Sequence, residues 1–244
     1  NVNNAVGWTQ SASTGLQTIQ STISSALTLT TEGANATMNA NDLKDAAQQI
    51  YQYIQETKQA ANTQYDGSYV FSGTATTTPP YAADSGPPPL PQNDTYAGNS
   101  GSISRVIGPG TTLAINANVS TVLNDNSSTG YVGLLSTLRN VYNDMTGQGG
   151  GTQADLGNQL TALQKNLGQL EQLQSQVGAT QDRLTMAATR IQSLQTTTTT
   201  QLGTIEDTDM AQATLQYSTE QAGYQAALQS TASIIQDSLL KFLQ

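Results

Sequence analysis

The chain has 244 residues, a net charge of −9, no cysteine and no histidine. Those absences exclude disulfides and thiolate zinc sites, and remove the usual general base and the commonest transition-metal ligand. With eight basic residues and only 10% of positions charged, nucleic acid and anionic membranes are poor partners. Ser, Thr, Gln, Asn, Ala and Gly dominate, and most aromatics are Tyr, so thin apolar stripes are expected in place of a globular core. No apolar run reaches the roughly 18 residues of a membrane span, and no secretory leader pattern opens the chain. The chain begins mid-pattern at Asn1-Val2-Asn3, which reads as a fragment that lacks an N-terminal part.

Residues 4–32 read as helix, because Leu16, Ile19, Ile23 and Leu27 step by 3 and 4. Trp8 is a candidate anchor at its start. Glu32-Gly33-Ala34-Asn35 reads as the stop, with Gly33 at a position favouring positive φ. Asn41 is a candidate N-cap for the next helix. That helix spans 42–65 on the seam Leu43, Ala47, Ile50, Ile54, Thr57, Ala61, Gln64, and Asp66-Gly67 turns the chain. Tyr69, Val70 and Phe71 read as a short strand. The proline-rich run from Pro79-Pro80 to Pro91 excludes helix interior and central strand, and reads as a rigid surface linker or as a ligand for a proline-binding module. Ile103, Arg105 and Ile107, the turn Gly108-Pro109-Gly110, then Leu113 and Ile115 spell a hairpin.

Residues 131–146, from Tyr131 through Leu134, Leu135, Leu138, Val141 and Tyr142 to Met145, read as an amphipathic helix that Gly147–Gly151 ends as a flexible joint. The longest element runs from Thr152 to Gln201. Its seam is Leu156, Leu160, Leu163, Leu167, Leu170, Val177, Leu184 and Ile191, a spacing near 3.5. Gln174, Gln181 and Ala188 fall in the gaps and weaken it. Such a helix, roughly 70 Å long at about 1.5 Å per residue, cannot bury its stripe against itself and needs another long helix. Five threonines, Thr196–Thr200, predict weak or bent helix. Glu206-Asp207-Thr208-Asp209 reads as the start of a further helix and lacks the spaced ligands and glycine of a calcium loop. The seam then resumes with Met210, Ala213, Tyr217, Tyr224, Leu228, Ile234 and Ile235, and the chain ends on Leu239, Leu240 and Phe242.

No phosphate loop or dinucleotide fingerprint occurs. Carboxylate pairs such as Asp42/Asp45 and Asp207/Asp209 read as solvated helix-start charges. The serines lack a base, since nothing sets one beside Lys44, Lys58, Lys165 or Lys241 in a strained turn. The chain reads as a non-enzyme that needs no cofactor and no metal.

Two stretches carry a resemblance. Ala61-Asn62-Thr63-Gln64-Tyr65-Asp66-Gly67-Ser68-Tyr69-Val70-Phe71-Ser72-Gly73-Thr74 is similar to the segment closing the second core helix of the bacterial flagellin superfamily. Ile205-Glu206-Asp207-Thr208-Asp209-Met210-Ala211, then Tyr224-Gln225-Ala226-Ala227-Leu228 and Ser238-Leu239-Leu240-Lys241-Phe242-Leu243, resembles its C-terminal helix. The likeness is closest to the hook-associated protein 3 branch. It implies a mainly α, elongated, flagellin-like bundle of long coiled-coil-like helices with a small β-rich insertion. The divisions expected are 1–67 and 129–205 for the rod, 68–128 for the variable domain with its proline-rich loop, and 206–244 for an axial assembly helix.

The resemblance further implies a structural protein of the flagellum, outside the cell, exported through the flagellar channel without a cleaved signal. Its partners would be copies of itself in a ring, the hook-side junction protein, flagellin and an export chaperone. The family's N-terminal helix, which pairs with the C-terminal one, has no counterpart before Asn1, so residues 209–243 would lack that mate. The expected subunit and chaperone contacts are Leu215, Tyr217, Tyr224, Leu228, Ile234, Ile235, Leu239, Leu240 and Phe242. Two alternatives stand beside this reading: the flagellin filament subunit itself, and a secreted surface or glycan-binding module, for which Tyr81 and Tyr96 would have to be exposed.

Overall fold

The computed structural model describes residues 1–35, 38–84, 94–124 and 132–242, with the side chains of 207–209 and 236–242 outside the description. The chain divides into two compact units, Asn1–Ala188 and Thr189–Gln244.

The first unit opens with α1, Val2–Ala34. Ala5, Trp8, Ala12, Leu16, Ile19, Ile23 and Ala26 recur every three or four residues and are all buried, which gives the helix one continuous apolar face. Trp8 is indeed an anchor: it is buried and meets the Tyr65 ring edge-on, with centroids 6.4 Å apart. Thr9, Thr22 and Thr30 also face inward. Their hydroxyls donate to the carbonyls of Ala5, Thr18 and Ala26 one turn back, so no polar atom of theirs is stranded.

Gly33 does not end α1 through a positive φ. It lies inside the helix, where an added Cβ would stand 3.0 Å from Met145 Cε and 3.2 Å from Leu156 Cδ1. Three elements approach closely there, and its carbonyl accepts from Gln153 Nε2 at 2.6 Å. The next cap is Asn39, not Asn41. Asn39 Oδ1 accepts from the Asn41 and Asp42 amides at 2.8 and 3.1 Å, and Asp42 Oδ2 accepts from the Asn39 amide at 3.1 Å. This reciprocal box starts α2, Ala40–Ala61.

Helix α2 stops four residues short of the expected end. Gln64–Tyr65 (β1) pairs antiparallel with Ser68–Tyr69 (β2) across the Asp66-Gly67 turn, where both residues have positive φ. Val70 and Phe71 follow this hairpin and lie wholly buried outside any strand. Phe71 packs against Gly15, where a Cβ would come within 2.7 Å of its Cε2. The second hairpin joins β3, Ser104–Gly108, to β4, Thr111–Ala114, with a bulge between Val106 and Gly108. It forms where the sequence spells a hairpin, with Leu113 and Ile115 turned inward and Arg105 exposed. A short helix α3, Ser120–Leu123, follows.

Helix α4 runs over Leu134–Thr146 with Gly133 as its N-cap; Tyr131 lies outside the described residues. Helices α1, α2 and α4 pack on one another. The glycine run after α4 is a built turn, not a loose joint. Gly147, Gly149 and Gly150 adopt left-handed φ of 70°, 62° and 86°, which other residues rarely take. A capping box between Thr152 and Asp155 then opens α5, Leu156–Phe242.

Up to Ala188, α5 belongs to the first unit. Leu156, Leu163, Leu170, Val177 and Leu184 are buried, as is Leu173, which is off the expected seam. Each buried leucine contributes about 1.5–3 kcal/mol. The supposed gaps are polar partners: Gln174 Nε2 donates to Ser13 Oγ at 2.9 Å and Gln181 Nε2 to Gln10 Oε1 at 3.4 Å. Fully buried Asn166 donates to Thr137 Oγ1 at 3.2 Å.

The second unit is helical from Thr189 through Phe242. The threonine run does not interrupt it. Thr196, Thr197, Thr198 and Thr200 donate to the carbonyls four residues back at 2.9–3.0 Å, a local satisfaction that composition alone does not reveal. No new helix starts at Glu206–Asp209, because the backbone there is already inside α5 and offers no free helix-start amides.

Candidate assembly surface

The candidate surface lies on the second unit's helix. Leu215, Tyr217, Tyr224, Leu228, Ile234 and Ile235 are all between 53% and 68% exposed. Met210 joins them at 68%. At about 100° per residue, Met210, Tyr217, Tyr224, Leu228 and Ile235 fall on one face. Ile234 flanks that face, and Leu215 lies on the far side of the helix, so the periodicity does not bring Leu215 to the others. Leu239, Leu240 and Phe242 belong to α5 by their backbone, and their side chains lie outside the described residues.

The face is built for packing. Its neighbours are mostly Ala, Gln, Ser and Thr, and Glu220 is the one charged residue between Met210 and Ile235. Ser218, Thr219 and Thr231 turn their hydroxyls onto the helix's own carbonyls at 2.8–2.9 Å, leaving little polar demand toward a partner. Two tyrosines supply large flat area with a polar tip, the chemistry that suits a protein interface.

The first unit holds a different polar feature, which sequence reasoning missed. Lys58 of α2 pairs with Asp84, and with Asp94 Oδ1 at 2.9 Å. Arg139 of α4 grips Asp94 with Nε and Nη2 at 2.9 and 3.2 Å. Gln55 Nε2 donates to Asp84 Oδ2 at 2.6 Å. The four charges balance, and all four side chains are at most 17% exposed. Tyr51 nearby has its hydroxyl pKa pushed up by burial and by Asp84.

Tyr81 and Tyr96 are buried. Their hydroxyls donate to the Leu123 and Phe71 carbonyls, each at 2.6 Å, and their rings meet edge-on at 6.0 Å. Burial pushes the Tyr96 hydroxyl pKa up to about 12. The glycan-binding alternative needed these tyrosines in solvent and loses them. A groove of about 380 Å³ beside β4 is lined by Leu113, Ile115, Asn116, Val177 and Arg183 among others. Among the described residues no three metal-ligating side chains gather, and no helix is long and apolar enough to cross a membrane.

Residues 160–243 match the family described as the bacterial flagellin C-terminal helical region. This stretch of the chain is similar to that family's helical region. The chain's fold is similar to that of flagellar hook-associated protein 3 from Legionella pneumophila, with a TM-score of 0.67 and 14% identity over 85% of this chain and 94% of that one. It is similar to FlgL of Bacillus cereus, with a TM-score of 0.63 and 20% identity over 79% and 87%. It is also similar to Bacillus cereus flagellin, with a TM-score of 0.51 and 18% identity over 78% and 87%. No curated protein sequence matches the chain. The mainly α, flagellin-like class expected from the heptad seams and the two motifs is the one observed, and the matched region contains the whole candidate face.

Proposed function

We propose that the chain is a structural, axial subunit of the bacterial flagellum that joins hook to filament by packing helices between subunits. The observation that carries this reading is the apolar face from Met210 to Ile235. It is exposed along its length on a helix of the flagellin C-terminal type, and such a face costs solubility unless a partner covers it. Tyr217, Tyr224, Leu228, Ile234 and Ile235 would make the contacts, with Leu239, Leu240 and Phe242 continuing them. Leu215, on the opposite side, would meet a second neighbour. The partners would be further copies in a ring, the hook-side junction protein and flagellin, with an export chaperone covering the face beforehand. The protein would reach the cell exterior through the flagellar channel without a cleaved signal.

The filament-subunit reading shares this face and differs in what the face builds. Electron microscopy of the chain under salting-out conditions, with and without hook fragments as seeds, separates the two. A cap confined to hook ends, with monomer elsewhere, is expected. Filaments that grow freely would overturn the junction role and leave the axial one. Deleting 209–244 should abolish capping and leave the first unit's helical signal in place; loss of that signal would make the segment internal packing.

A further inference from the structure

The Lys58–Asp84–Asp94–Arg139 quartet occupies a telling place in the chain. Asp84 and Asp94 bracket residues 85–93 (Ser-Gly-Pro-Pro-Pro-Leu-Pro-Gln-Asn). One ammonium, Lys58 Nζ, contacts both carboxylates, and Arg139 Nη2 lies 4.0 Å from Asp84 while its fork holds Asp94. The stretch between could span about 30 Å extended, yet it leaves and returns at a single cation. We propose that this quartet is a clasp that fixes the entry and exit of the proline-rich excursion onto α2 and α4, so that the fold does not depend on the sequence carried between them.

Three features carry the inference. By composition residues 85–93 offer few fastening groups: four of them are proline, without an amide donor, and Leu90 is the one large apolar residue. The clasp lies in the first unit's interior, where Lys58 and Asp84 are 6% and 3% exposed. Ions so placed are held strongly only while the set is complete, because removing one leaves an uncompensated buried charge. Two hydrogen bonds from backbone amides hold the base on described residues. The Tyr81 amide donates to Asn62 Oδ1 at 3.0 Å and the Ala97 amide to the Pro80 carbonyl at 2.9 Å. The stretch 85–93 is thus exchangeable in sequence, with its two ends set by four charges.

The test uses the full chain. One variant replaces 85–93 by a Gly-Ser stretch of equal length; another is Lys58→Met. Thermal unfolding and hydrogen exchange at the Tyr81 and Ala97 amides are read for both. The replacement should keep the unfolding midpoint within about 2 °C and both exchange rates within about 3-fold. Lys58→Met should lower the midpoint by about 6–15 °C and speed both amides at least about 10-fold. If Lys58→Met does not fold, Asp94→Asn removes one charge at constant shape and should give a smaller drop with the same faster exchange. The proposal is overturned if the replacement destabilises as much as the charge variants. It is equally overturned if the charge variants that fold leave Tyr81 and Ala97 exchange unchanged.

Discussion

Between Leu156 and Ala188, α5 hides Leu163, Leu170, Val177 and Leu184; between Thr189 and Ile235 it leaves Leu194, Leu202, Ile205, Tyr217 and Tyr224 more than half exposed. The residue types and spacing are similar in the two stretches, and their surroundings are opposite. An apolar seam therefore states that a helix will pack, and its partner decides whether that packing is internal folding or assembly between molecules. In the first stretch the partner is in the chain, and the side chains of Gln174 and Gln181 bond to Ser13 and Gln10. In the second, every described apolar residue beyond Ala188 faces solvent.

The sharpest way to break this contrast is to put a charge on each stretch. Leu163→Asp buries a carboxylate at a fully enclosed site and should cost about 4 kcal/mol or more. Circular dichroism should show cooperative loss of most of the first unit's helix; a small change would contradict the assignment of the buried stretch. Ile235→Asp should leave the melting of the first unit within about 1 °C and abolish assembly in sedimentation.

A next, smaller effect tests whether the first unit is packed as tightly as its glycines imply. Gly15→Val places a Cβ 2.7 Å from the Phe71 ring and 3.2 Å from the Ala60 carbonyl. Denaturant unfolding should show a loss of about 2–4 kcal/mol. An equivalent change at Gly203 or Gly223, where a Cβ meets nothing within 4 Å, should be near neutral or raise helicity.

Asp144 gives a pH-dependent handle of smaller size. It is 7% exposed, with Oδ2 unpaired among the described residues. Burial raises its pKa, a hydrogen bond with Gln159 opposes the rise, and Asp155 adds to it. A folded-state pKa above the unfolded one means the group's favourable contribution is complete below the unfolded pKa and is lost as pH rises through the folded one. Asp144→Asn should therefore stabilise the first unit at pH 7 by about 0.5–1.5 kcal/mol and change little at acid pH. Equal effects at both pH values would contradict the direction of the shift.

The smallest effect is expected at the threonine run. Thr197→Ala removes a β-branched residue from an exposed helix and should raise helical content in that unit by about 0.5 kcal/mol, read as a later loss of ellipticity on heating. A fall in helicity would mean that the hydroxyl bond to Ser193 matters more than propensity.

Much of the fold was legible because its signals are local. The stripes of α1, α2, α4 and α5, the Asp66-Gly67 turn and the Gly108-Pro109-Gly110 hairpin are each written within a few residues. What escaped is non-local. The charge clasp joins Lys58 and Arg139 to residues 26 and 45 positions away, and no spacing rule connects them. Gly33 looked like a helix stop because a stop and a close approach both demand glycine, and only the positions of Met145, Leu156 and Leu43 tell them apart. Gln174 and Gln181 looked like defects because their partners lie on α1. The exposed face from Met210 to Ile235 was legible as a seam, while Leu215 lies about 160° around the helix from it.

The most direct test of the central claim is residue-resolved hydrogen exchange along α5, in the monomer and on hook ends. The account predicts strong protection of amides 163–184 in both states. It predicts that amides 210–235 exchange orders of magnitude faster in the monomer and become protected on assembly. Protection of 210–235 in the monomer equal to that of 163–184, or no gain on assembly, would contradict it.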